Sequence, residues 1–215
     1  MKKALVLAGS RGIGKAIADS LASIEIEVDA TDSKMLDTSN MKMVADYLVD
    51  LKSYDILVLN TGGPVAKDFY SITEDEWNKY HNQLFLSFCT ILKNININNG
   101  GYIFLISSFN IKEPDPKLIL SNAYRVALTS VLKSLSKTYA ARNISCINIA
   151  PGPMKTDRLM SLVDDMEEFE KSLPMGRAGD TKEIGNFVKS IVEHNIKYLS
   201  GVTINFDGAA SNSLF

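Results

Sequence analysis

The chain has 215 residues, 46% of them apolar and 22% charged, a balance that suits one globular domain with a full core. A net charge of −2 leaves no electrostatic footprint for nucleic acid. The two cysteines, Cys89 and Cys146, lack CxxC or Cys/His spacing, which points away from zinc and from a disulfide scaffold and toward a reducing, cytoplasmic setting. Met1-Lys2-Lys3 runs into an apolar stretch over 4–8 that Gly9 ends after five residues. That is too short for a signal-peptide core or a membrane span, and it reads as a buried first strand. Further apolar runs follow at 24–30, 55–59, 102–107, 145–150 and 202–206, and 35–36 is a short candidate for one more strand. Helical patterns fall between them near 12–22, 41–51, 74–95, 118–142 and 182–194. Strands alternating with helices predict an α/β fold: a single doubly wound Rossmann domain over 1–215, with a parallel sheet of six to seven strands and helices on both faces. The Asn-rich stretch 93–101, ending in Gly100-Gly101, reads as a solvated helix end and turn.

The first strand leads into Ala8-Gly9-Ser10-Arg11-Gly12-Ile13-Gly14 and then into a helix. Glycines there let the backbone turn tightly and approach a pyrophosphate, which the free N–H groups of a helix N-terminus receive. Gly9, Ser10, Arg11, Gly12, Ile13 and Gly14 are therefore candidate cofactor contacts. Asp32, at the end of the second strand, lies about where an acidic residue meets the adenosine ribose hydroxyls. Its charge repels a 2′-phosphate and favours NAD; Arg11, inside the turn, pulls toward NADP.

These motifs resemble the short-chain dehydrogenase/reductase family, in a divergent branch similar to 3-oxoacyl-[acyl-carrier-protein] reductases. Gly12 and Gly14 match the family's Thr-Gly-x-x-x-Gly-x-Gly turn, with Leu7 at the Thr and Ala8 at the first Gly. If Ala8 has an ordinary φ the loop survives, and Gly9 next door gives slack. The stretch 55–63, containing Asn60, Thr61 and Gly62, resembles the family's Asp-x-Leu-Val-Asn-Asn-Ala-Gly. Asp37 falls at the adenine-contacting position, and Pro151-Gly152…Thr156 resembles the segment that holds the nicotinamide amide. Leu173-Pro174-Met175-Gly176-Arg177, Ser200-Gly201 and Asp207-Gly208 extend the resemblance over nearly the whole chain. It is compressed between Gly14 and Asp55, where a helix common in the family is missing.

By resemblance the catalytic positions are a Ser, a Tyr, a Lys four residues after it, and an Asn. Ser108 stands at the Ser, thirteen residues before Ser121, which stands at the Tyr. Arg125 replaces the Lys and Leu84 the Asn. Arg125 keeps a permanent charge able to hold the nicotinamide ribose but relays no protons. Ser121 is a poor acid, and loss of a positioned general acid costs about 10²–10⁴ in rate. Tyr124 is a candidate substitute acid, set against packing at the helix flank. His81 and His194 read as surface or interface residues.

The resemblance implies a lid over about 154–173, a homodimer or homotetramer through the helices near 74–95 and 118–142, and a small carbonyl or alcohol substrate. No membrane, nucleic-acid or metal partner is expected. The activity implied is an NAD(P)-dependent oxidoreductase; the alternatives are a non-catalytic nucleotide-binding or regulatory protein, or a structural subunit, on the same fold.

Overall fold

The computed structural model describes residues 1–49 and 51–214. Six parallel strands form one sheet in the order β2-β1-β3-β4-β5-β6, with β1 at Lys3–Val6, β2 at Glu27–Ala30, β3 at Ser53–Leu59, β4 at Asn96–Ile106, β5 at Ser145–Pro151 and β6 at Val202–Phe206. The strand direction of progress reverses at β1, so the crevice beyond the carboxyl ends of β1 and β3 is the topological switch point of the sheet.

Period-two alternation within apolar strands builds both faces. Ala4, Val6, Ile56, Val58, Tyr102, Phe104, Ile147 and Ile149 pack on one side against α1 (Gly12–Ala22) and α8 (Thr181–Glu193). Leu5, Leu7, Leu57, Leu59, Ile103, Leu105 and Cys146 face the other way, onto α2 (Met41–Val49), α4 (Ser87–Asn94) and α5 (Ile119–Ala140). Each Val, Leu, Ile or Phe side chain among these contributes about 1.5–3 kcal/mol by leaving water, which is why central strands can be apolar almost throughout.

Several element boundaries differ from the expectation. No strand forms at 35–36: the Oδ1 atom of Asp32 accepts from the N–H groups of Lys34 and Met35 and holds a turn, leaving Leu36 to pack into the core. The sheet therefore has six strands. The second strand begins at Glu27 because Glu25, at φ 60°, turns the chain off α1. The stretch 93–101 is not merely a helix end and turn. Asn96–Gly101 belongs to β4, pairing Asn96 with Ser53 and Ile97 with Tyr54 before a register shift, because the side chains of Asn96 and Asn98 bond to Ser53 and Asp55 across the strand pair. The helix near 41–51 is described as Met41–Val49, and position 50 lies outside the described residues. The helix near 74–95 contains α3 (Glu74–His81), a π-helical turn over Asn82–Leu86, and α4. Beyond β5 lie two short helices, α6 (Asp157–Met160) and α7 (Met166–Ser172).

Candidate functional site

The glycine turn sits at the carboxyl end of β1. Leu7 N–H bonds to Val58 O at 3.0 Å, Gly9 N–H to Thr31 O at 2.8 Å, and Ala8 N–H to the Thr31 hydroxyl at 3.1 Å. Ala8 has φ 48°, so the condition of an ordinary φ is not met and this non-glycine residue takes the left-handed conformation itself. Gly12 follows at φ 54°. Gly14 lets α1 start against the turn: a Cβ there would stand 2.2 Å from Ala8 O and 2.7 Å from Asn60 Nδ2. Asn60, just past β3, donates to Leu7 O and Ala8 O, each at 3.3 Å, and so ties the two loops of the switch point together. Unlike α3 and α8, which begin with capping boxes, α1 has Arg11 at its N-cap, no side-chain cap and no acid in its first turn. Its first N–H groups are therefore left for an anion. Ser10 and Arg11 are exposed, and Ile13 packs against the core.

Left-handed alanine costs about 1–2 kcal/mol, whereas glycine adds about 0.5–1 kcal/mol of unfolded-chain entropy. Ala8→Gly is therefore expected to raise unfolding stability by roughly 0.5–1 kcal/mol, measured by urea denaturation. An unchanged or lower midpoint at constant slope would show that Ala8 is unstrained.

Asp32 and Asp37 both stabilise turns beyond β2. Asp37 Oδ1 accepts from the N–H and hydroxyl of Ser39, and the neighbouring Thr38 hydroxyl meets that of Thr61 at 3.2 Å. Across the crevice, Pro151 ends β5, and Gly152 N–H bonds to Phe206 O at 3.0 Å. Thr156 caps α6, accepting from Leu159 N–H at 3.3 Å. Its Cγ2 would lie 3.6 Å from a Cβ built on Gly12, so the segment after β5 meets the glycine turn.

Arg125 organises the centre. Its Nε donates to Ser121 Oγ at 3.1 Å, Nη1 to Ile106 O at 2.9 Å and Ser107 O at 3.3 Å, and Nη2 to Thr61 O at 3.4 Å. One side chain thus joins α5 to the ends of β3 and β4. Burial, reinforced by the nearby Arg158 cation, lowers its pKa to about 10, still high enough for a full charge at neutral pH. Ser121 is buried, and Ser108 is half-buried with its Oγ accepting from Asn110 N–H at 3.2 Å. Tyr124 is placed differently. Its hydroxyl donates to Trp77 O at 3.1 Å, and its ring meets Trp77 and His81 at 5.9 and 5.5 Å between centroids. The hydroxyl thus bonds to α3, and His81 is part of the same aromatic cluster.

A family model described as enoyl-(acyl carrier protein) reductase matches residues 12–210. The chain belongs to the short-chain dehydrogenase/reductase family. The 3-oxoacyl-[acyl-carrier-protein] reductase of Escherichia coli strain K12 is 26% identical over 234 residues, covering 96% of this chain and 96% of that one. The acetoacetyl-CoA reductase of Shinella zoogloeoides is 27% identical over 234 residues, covering 95% and 96%. A short-chain dehydrogenase family protein of Francisella tularensis superposes with a TM-score of 0.86 at 20% identity, covering 99% and 100%. A blue fluorescent protein from a metagenomic library, solved with NADPH, superposes at 0.83 with 23% identity, covering 98% of each chain.

Two residues of this short-chain dehydrogenase/reductase escaped the reading of its sequence. Leu84 is buried in the π-helical turn, but its neighbour Gln83 directs Nε2 to Gly62 O at 3.0 Å and Thr61 Oγ1 at 3.3 Å. An extra residue in one turn rotates the helix face, so an alignment in α-helical register looks one position away from the polar side chain. Arg158, on α6, donates from Nη1 to Gly63 O and from Nη2 to Pro64 O. The only signal for it in the sequence is a basic residue shortly after Thr156.

Proposed function

We propose that the protein is an oxidoreductase that moves a hydride between NAD(P) and a carbonyl or alcohol substrate, similar to 3-oxoacyl reductases but with an altered catalytic set. The observation carrying this reading is the pairing of an uncapped glycine turn, too tight at Gly14 for a side chain, with a charged Arg125 at the same crevice. When bound, the dinucleotide supplies the hydride. The residues fit it: Gly9, Ser10, Arg11, Gly12, Ile13 and Gly14 cradle the pyrophosphate, Asp32 meets the ribose, and Asp37 the adenine. Asn60, Thr61 and Gly62 form the floor, and Pro151, Gly152 and Thr156 hold the nicotinamide end. Arg125 orients the second ribose and holds Ser121, and Ser108 polarises the substrate oxygen by donating a hydrogen bond. The proton reaches that oxygen from water by way of Ser121. Segment 154–173 serves as the lid, and the helices α3–α4 and α5, where Leu86 and Val126 are exposed, join copies into a dimer or tetramer. A cytoplasmic setting fits this chemistry.

NAD(H) is the preferred cofactor, because an Asp32 carboxylate at the adenosine ribose would repel a 2′-phosphate. The relative solved with NADPH and the exposed Arg11 weigh on the other side. Titration of the purified protein, followed by fluorescence quenching, is expected to give NADH binding about tenfold tighter than NADPH, a difference near 1.4 kcal/mol. Asp32→Ser should reverse or erase the preference. Binding of neither cofactor at millimolar concentration would sink the oxidoreductase reading.

A second reading, a nucleotide-binding protein without catalysis, is favoured by Leu84 and by the commitment of the Tyr124 hydroxyl to Trp77. It predicts cofactor binding with no turnover across a carbonyl panel.

A further inference from the structure

A guanidinium has five N–H donors. Arg125 directs its Nε, Nη1 and Nη2 groups at four acceptors, all of them backbone carbonyls or a hydroxyl. Arg158 spends one N–H of Nη1 and one of Nη2 on the carbonyls of Gly63 and Pro64, which leaves three N–H groups unused. Neither arginine has a carboxylate within ion-pair distance among the described residues; the arginine that does is Arg177, paired with Glu183 at 2.9 Å. Both cations are partly withdrawn from water, and both bond to the same loop, Arg125 at Thr61 and Arg158 at Gly63 and Pro64. Burial lowers the pKa of both, and the Arg158 cation adds to the lowering at Arg125.

The acids of the surrounding segment do not relieve this charge. Asp164, Asp165, Glu167 and Glu168 are exposed, Glu167 pairs with Lys171, and Glu170 pairs with Lys155 while accepting from Ala178 N–H. Arg158 lies flat on Gly63: a Cβ there would stand 3.2 Å from its Cζ. Two partly desolvated cations whose partners are neutral carbonyls and a hydroxyl suit an anion, because a buried charge is costly until an opposite charge meets it.

We propose that Arg158, with Arg125 behind it, is the carboxylate-recognition element of the substrate chamber, and that the preferred substrate is a free oxo acid rather than a thioester or neutral ketone. The substrate carboxylate takes the unused N–H groups of Arg158. Its carbonyl carbon gains the hydride of the reduced nicotinamide, the oxygen gains a proton from water, and the products are the hydroxy acid and the oxidised nicotinamide. This rests on the hydride-transfer reading above and narrows its substrate class.

The test is calorimetric binding of straight-chain oxo acids and of their methyl esters to the wild-type chain, with and without oxidised cofactor, and kcat/KM for the same pairs. Charge-assisted hydrogen bonds should make the acid bind about 10- to 100-fold tighter than its ester. Arg158→Gln should erase that difference by weakening the acid about 10- to 100-fold more than the ester. Arg158→Lys should restore part of it, and Gly63→Ala, which pushes the guanidinium aside without removing it, should lose part. Esters binding as tightly as acids, an equal loss for both in Arg158→Gln, or no binding of any oxo acid would each overturn the proposal. Acid binding that survives while neither cofactor binds would overturn the hydride-transfer reading and leave the anion site standing.

Discussion

Gly14→Ala is expected to abolish measurable dinucleotide binding while the chain still folds. The added Cβ would stand 2.2 Å from Ala8 O and 2.9 Å from Ala8 C, inside any tolerable contact, and the obstacle is backbone. Ala8 cannot retreat freely. Its N–H is held by the Thr31 hydroxyl and its carbonyl by Asn60, and its φ of 48° already lies in the left-handed region. The turn must therefore open away from α1. Such overpacking costs about 1–3 kcal/mol of stability, less than a typical domain holds. A displacement of about 1 Å at the cradle costs about 100-fold in a precisely positioned function. Titration with NADH should show that loss, with Lys42→Ala on the exposed face of α2 as the control for folding. Wild-type affinity in Gly14→Ala would mean that the nucleotide does not use this turn.

Arg125→Gln should damage both stability and cofactor affinity. The substitution withdraws donors from Ile106 O, Ser107 O and Thr61 O at the ends of two strands. Hydrogen bonds to a charged group contribute about 1.5–3 kcal/mol, but removing a poorly compensated cation returns part of that. The second effect is the smaller, because the cation is reached by four acceptors, so a net loss of about 1–3 kcal/mol is expected from denaturant melts. NADH affinity should fall at least about tenfold through loss of the ribose-binding charge. Arg125→Lys should keep the charge but lose the planar fork that reaches β3 and β4 together, giving an intermediate result. A lysine variant as stable and as tight as wild type would show that the bridging geometry is unimportant. An Arg125→Gln variant with full NADH affinity would remove Arg125 from the cofactor site.

The two layers of core were legible because each depends on local pattern. Strands buried on both faces are apolar along their central stretch, as residues 4–6 of β1 and 56–59 of β3 are, and β5 departs only at Ser145 and Asn148. The β4 extension was not legible: Asn96-Ile97-Asn98-Asn99 has the composition of a loop, and only the partner strand, offering Ser53 and Asp55, makes those amides useful in a sheet. Tyr124 shows the same limit on the site. Position along α5 placed it beside Arg125, but the neighbouring helix, not its own, supplied the acceptor for its hydroxyl. Gln83 was hidden by a π-helical turn, which changes residue direction without changing sequence spacing.

Sequence by itself determined the order of strands and helices and the glycine turn, because these are properties of residue type and spacing. Tertiary structure alone decided that Ala8 takes a left-handed φ, that Arg125 joins α5 to the ends of β3 and β4, and that Arg158 returns from beyond β5 to sit on Gly63. Those facts depend on which distant backbone groups a side chain meets. Arg158 and Gly63 are ninety-five positions apart in the chain, a separation over which local pattern carries no information about contact.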